Sequence, residues 1–306
     1  MKYQFPMKPK LIQILTLAVL IISLGACEKE VHINLKSSAP RMVVQGSIET
    51  DGPPIIVLTS SVGFFSKIDL STLENSFIHG ADIKVSDGTK TVTLKEYSSD
   101  TGTAFKYYFY TLDTALLSAP MLGENGQTYT LTITHGGVTY RSVTKIPIPQ
   151  GVDSMWFGIP EFADDNTLDS ARQLFINYKD PDSAGDYVRY FTQRGNDAFY
   201  PSGNFSDEPV NGKLITSIGL AGGYVNDGTD REMDSLIYFF PGESVTLKWC
   251  AVDKGVYTFW NTLDFAKNAV GNPFSSPINP VSNISNGALG VWAGYGAYYK
   301  TLVVTY

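Results

Sequence analysis

The chain is poor in the residues that carry most enzyme chemistry. Its 306 residues include two cysteines and three histidines. Two cysteines cannot build a disulfide scaffold or a cysteine-only zinc site. His32 sits near the N-terminus, His79 before a strand-like run and His135 in a turn, and none has a spacing that pairs a base with a nucleophile. There is no Gly-x-Ser-x-Gly elbow and no His-Glu-x-x-His. No cofactor-binding motif is present. Basic blocks are missing too: 23 Lys and Arg stand against 30 Asp and Glu, a net charge of −7. That balance argues against nucleic acid, where phosphate neutralisation dominates affinity. Long apolar runs are also lacking. Leu11 to Leu24 is 14 residues, short of the ~20 that cross a bilayer as a helix. What remains is 43 % hydrophobic, enough to build cores and to exclude wholesale disorder.

The first segment reads as an address. Lys2, Lys8 and Lys10 precede the apolar run, and Leu24-Gly25-Ala26-Cys27 follows it. A basic start, a short apolar stretch and small residues before a boundary describe a secretory signal, here over residues 1–26. The placement of Cys27 resembles a bacterial lipobox, which implies lipidation of Cys27. A lipid at one end holds a protein at a membrane without spanning it. Glu28-Lys29-Glu30 resembles the surface-export signal of Bacteroidota lipoproteins, and residues 27–39 read as a lipidated tether. The other cysteine, Cys250, lies in the apolar run Val245 to Val252 and reads as a buried structural thiol.

From Arg41 onward the pattern is β. Met42 to Ile48 and Ile55 to Thr59 are apolar runs split by Asp51-Gly52-Pro53-Pro54. Ile83 to Ser86 and Thr91 to Leu94 flank Asp87-Gly88, and Tyr129 to Thr134 and Val138 to Val143 flank His135-Gly136-Gly137, so two hairpins are expected. Short strands at this spacing suggest an all-β chain of two sandwich-like domains. Ile146-Pro147-Ile148-Pro149 reads as a stiff connector. It places an Ig-like sandwich at 40–148 and a β-rich domain at 149–306. One short amphipathic helix is expected over Gly255 to Ala269, with Val256, Phe259, Trp260 and Leu263 on one face and Asp253 as cap. Residues 196–230 read as long loops, and Ser235 to Phe240 as a strand.

The order of these segments resembles domain of unknown function 4249, found in Bacteroidota lipoproteins. The residues are Cys27-Glu28-Lys29-Glu30, Val43-Val44-Gln45-Gly46, Gly80 to Gly88, Tyr187 to Phe191, Asn211-Gly212-Lys213, Asn272-Pro273-Phe274 and Ser282 to Trp292. The resemblance implies an outer-membrane lipoprotein, surface-facing, with a TonB-dependent receptor as partner. It implies no catalytic or binding residues.

Three candidate features come from the residues themselves. Asp180, Asp182 and Asp186, with Gly185, have the spacing of an EF-hand calcium loop, but Ala184 and Phe191 stand where further ligands belong, so a turn is expected. Asp-(Ser/Thr)-apolar triplets place Thr114, Ser154, Ser170, Ser183 and Ser235 in a pattern resembling the O-glycosylation sequon of secreted Bacteroidota proteins. Phe64, Phe65, Trp292 and Tyr295 are candidate ring contacts for a ligand, against the alternative that they are core. The expected function is a non-enzymatic accessory or binding component working with a TonB-dependent transporter. A stand-alone glycan- or peptide-binding module is the alternative, and a carboxylate-dependent hydrolase ranks below both.

Overall fold

In the computed structural model, residues 39–63, 69–100, 105–113, 115, 120–161, 169–182, 185–208, 211–222, 237–269 and 278–306 are described. The expected signal, Cys27 and nearly all of the tether lie outside them. The elements run β1 (Met42–Glu49), β2 (Ile55–Ser60), α1 (Leu70–Glu74), β3 (Asp82–Ser86), β4 (Thr91–Thr93), β5 (Lys95–Asp100), β6 (Lys106–Thr111), β7 (Thr128–His135) and β8 (Val138–Lys145). After the proline connector come β9 (Ser154–Gly158), β10 (Gln173–Lys179), β11 (Tyr187–Arg194), β12 (Tyr200–Ser206), β13 (Leu214–Leu220), β14 (Ser244–Val252), α2 (Lys254–Ala269) and β15 (Leu289–Val303). The chain is therefore all-β in the main, with one helix longer than two turns among the described residues.

The strands form three sheets. The largest has the order β12-β11-β14-β15-β1-β2-β6-β5; the others are β13-β10-β9 and β4-β3-β7-β8. Both expected hairpins are present as β3–β4 and β7–β8. Gly88 in the first turn and Gly136 and Gly137 in the second take positive φ, which glycine adopts without steric cost.

The long strand β15 organises the molecule. Its first half pairs parallel with β1, Val43 opposite Leu289 through Glu49 opposite Tyr295. Its second half pairs antiparallel with β14, Cys250 opposite Ala297. Side chains alternate between faces along a strand. Trp292, Tyr298 and Leu302 thus point to one face, into cores shared with the two small sheets. Val291, Ala293 and Tyr295 point to the other, against Val256 and Phe259 of α2. Trp292 is fully buried, and its Nε1 donates to the Tyr129 carbonyl of β7 at 3.1 Å, fastening the large sheet to the four-stranded one.

Four strands of the large sheet precede the proline connector and four follow it, and Pro40–Tyr306 form one compact unit. The sheet thus crosses the boundary expected near residue 148. The connector itself lies flat on β15. A Cβ on Gly294 would stand 2.5 Å from the Lys145 carbonyl oxygen, and one on Gly296 would stand 2.0 Å from that of Pro147. Glycine is required here for close approach, since any Cβ would collide with backbone.

α2 begins where the helical spacing placed it. Asp253 caps it, accepting from Val256 N–H at 3.0 Å. Two expectations differ. Residues 196–230, read as loops, contain β12 and β13, whose Gly, Ser and Asn content hides their alternation. The expected strand Ser235–Phe240 is described only from 237, where Phe239 makes a single bridge to Arg172.

Candidate functional site

A cavity of about 220 Å³ lies between the three-stranded sheet and the β11–β14 part of the large sheet. The strand alternation that builds the core also builds its walls. β14 turns Val245, Leu247 and Trp249 inward, and Val188 and Tyr190 of β11 meet them. Trp249 forms part of the lining, only 2 % exposed. Tyr178 of β10 packs against it, ring centroids 5.1 Å apart, and Phe205 of β12 stacks on it at 5.8 Å. Ile215 and Ile218 of β13 complete the apolar part.

Three carboxylates line the same space: Asp180 after β10, Asp186 before β11 and Asp207 after β12. Two are placed by backbone amides. Asp180 accepts from Gly212 N–H at 3.0 Å, and its own N–H donates to the Lys213 carbonyl. Asp207 Oδ2 accepts from Gly185 N–H at 2.6 Å. Asp207 is 3 % exposed, and its Oδ1 is buried with no hydrogen-bond partner among the described residues. Such an oxygen is costly to leave unmet.

The charges press on one another. Burial pushes the Asp180 carboxyl above the usual aspartate range; Asp207 and Asp186 add to this, while the Gly212 N–H opposes it. Burial also raises the Tyr178 hydroxyl, with Asp180, Asp186 and Asp207 adding to it, so it stays protonated. Lys179, whose charge acts on Asp180, lies 3.7 Å from Asp182. A ring-walled cavity edged by acceptors suits a small bound group better than a polymer. Its volume is under the ~300–1,000 Å³ of pockets for drug-sized ligands.

The family model described as Domain of unknown function (DUF4249) matches residues 28–301. The chain belongs to the DUF4249 family. No curated protein matches the chain. The DUF4249 match spans strands of all three sheets, so the whole cavity lies inside it.

The candidate residues of this DUF4249 protein are scattered rather than gathered. Asp180 and Asp186 line the cavity, but Asp182 is exposed beside Lys179. Among the described residues no three His, Cys, Asp or Glu side chains are grouped to hold a metal ion. Trp292 and Tyr295 are core: Tyr295 is 7 % exposed, and its hydroxyl accepts from Trp260 Nε1 at 3.0 Å. Neither offers a ring to a ligand. Phe64, Phe65, Thr114, Ser183 and Ser235 lie outside the described residues. Ser154 is on β9 with its hydroxyl oxygen buried, whereas Ser170 is half-buried in a turn. Cys250 is fully buried, and burial pushes its thiol well above the ordinary range. His79 bonds Glu96 through Nδ1.

Sequence reasoning passed over Trp249, Tyr178, Phe205 and Asp207. Asp180 and Asp186 were visible, with Asp182, as a calcium-like spacing, but Asp207 sits in a stretch with no periodic signal. A second concavity, of about 260 Å³, lies beside α2 and is lined by Arg189, Ser202, Asp264 and Lys267. Its buried Arg189 is already engaged, over the Trp260 ring at 4.0 Å, bonded to Asn204 at 2.6 Å and 3.8 Å from Asp264.

Proposed function

We propose that this DUF4249 protein is an outer-membrane lipoprotein, held by lipidated Cys27 at the cell surface. It acts as a non-enzymatic binding component beside a TonB-dependent transporter. The cavity walled by Trp249, Tyr178 and Phe205 carries the binding part of the reading. It couples apolar burial with a few convergent polar groups, the usual make-up of a small-ligand site. The lipobox-like Cys27 and the family resemblance support the location and the partner.

Co-purification tests it. The C-terminal Tyr306 is 92 % exposed and accepts a tag without touching the core. Tagged protein is extracted from outer membranes in mild detergent. A barrel receptor recovered in near-equal amount is the expected result. Recovery alone, under conditions that preserve other membrane complexes, overturns the transporter role and leaves a stand-alone glycan- or peptide-binding module. Phe205, 38 % exposed where it lines the cavity, favours that second reading, since an accessible ring offers a flat apolar face to such ligands.

A further inference from the structure

The charged groups that line the cavity are all of one sign. Asp180, Asp186 and Asp207 contribute carboxylates, which accept hydrogen bonds and donate none when ionised. Asp207 supplies the decisive atom, a buried Oδ1 without a partner on a side chain whose other oxygen is already held by Gly185. Such an oxygen waits for a donor, and a positively charged one suits it best. The same lining carries the rings of Tyr178, Phe205 and Trp249. A cation over a ring face is attracted by the ring's quadrupole, more strongly where water is excluded.

Other ligand classes fit less well. Calcium or magnesium wants six or more oxygens. Among the described residues no group of His, Cys, Asp and Glu side chains able to hold a metal ion is present. An anion meets three carboxylates. A neutral sugar would find acceptors for its hydroxyl protons, but the Ser206 and Tyr178 hydroxyls and the Trp249 indole N–H are the side-chain donors that line the cavity, so its ring oxygens are served less well than its protons.

We infer that the cavity under Trp249 takes an alkylammonium group, carried by a free amine or by a lysyl side chain. The ammonium seats against Asp207 Oδ1, and the alkyl carbons pack on Trp249, Tyr178 and Ile218. The cavity volume of about 220 Å³ admits such a head group. This inference rests on reading the cavity as the ligand site of a binding protein.

Isothermal titration of the mature protein in mild detergent tests it. The probes are n-butylamine, Nα-acetyl-lysine amide, n-butanol (the neutral counterpart of butylamine with the same chain) and calcium chloride. The ammonium probes are expected to bind at least roughly tenfold tighter than n-butanol, and Asp207→Asn to lose about tenfold of that affinity. Tighter binding of the lysine amide than of butylamine assigns the group to a peptide; the reverse assigns it to a free amine. Ile218→Trp, which fills the cavity from β13, abolishes binding even if Asp207→Asn fails to fold. Equal affinity for n-butanol overturns the charge requirement while leaving a ligand site in place. Calcium binding that excludes the amines likewise overturns the ligand class and not the site. No binding by any ammonium probe overturns the inference outright, and the receptor co-purification then decides the broader reading on its own.

Discussion

Gly296→Ala removes nothing and adds one methyl group, yet it strikes the place where both halves of the chain meet. The new Cβ would stand 2.0 Å from the Pro147 carbonyl oxygen and 3.1 Å from its carbon, with Pro149 Cδ at 3.3 Å. Ordinary contact begins near 3.4 Å. Relief therefore demands a shift of more than an ångström, and the obstructing atom is backbone, which cannot rotate aside. Overpacking of this kind costs typically ~1–3 kcal/mol, and a backbone obstacle on a central strand puts it at the upper end. For a chain of this size ~3 kcal/mol lowers Tm by roughly 6–12 °C. Gly52→Ala is the control, because its Cβ would meet nothing closer than 3.4 Å. Differential scanning calorimetry reads both. A Gly296→Ala Tm within about 1 °C of wild type would refute the seating of the connector on β15. Because the large sheet draws strands from both sides of that connector, wild type is also expected to unfold in one transition.

Other outcomes follow from individual contacts. Asp253→Ala loses the α2 cap and the acceptor for Thr144 Oγ1 at 2.6 Å and Lys145 N–H at 3.0 Å. A loss of about 2–3 kcal/mol in urea unfolding is expected, and a loss below ~0.5 kcal/mol would remove the link between α2 and β8. Cys250 should resist thiol reagents in the native protein and react only on unfolding, as read by labelling and mass; fast native labelling would contradict its burial. The pH dependence around Asp180 has a definite sign. Its folded value is raised, so the native state keeps a proton that the unfolded chain releases, and this contribution to stability falls as pH rises from 3.8 through the raised value. Asp186, Asp207 and Lys179 face the same group. Asp180→Asn should therefore flatten the fall in Tm over that window, and an unchanged profile would contradict the assignment.

The β class, both hairpins and α2 were legible because their signals are local. Asp87-Gly88 and His135-Gly136-Gly137 mark turns by themselves, and Val256, Phe259, Trp260 and Leu263 repeat at helical spacing. The parallel pairing of β1 with β15 was hidden, since nothing local announces a partner more than two hundred residues away. Pro147 and Pro149 read as a spacer for the same reason; only the glycines of β15 reveal that the connector packs down. The rings were open to two readings, core or contact. Trp292 and Tyr295 stand in a glycine-rich run that looks open, but the glycines are there to let backbone approach, which buries the rings. Trp249 stands in the apolar run Val245 to Val252 with nothing local to mark it, and the cavity beside it arises only when β10, β12, β13 and β14 converge.

The reading of the cavity as a ligand site is tested most directly by native mass spectrometry. Protein is taken from the cells that make it and sprayed under non-denaturing conditions without further purification, beside the Ile218→Trp variant. A low-mass species bound non-covalently to wild type and absent from the filled variant is the expected result. Identical spectra, with no non-covalent species on either protein, would contradict it.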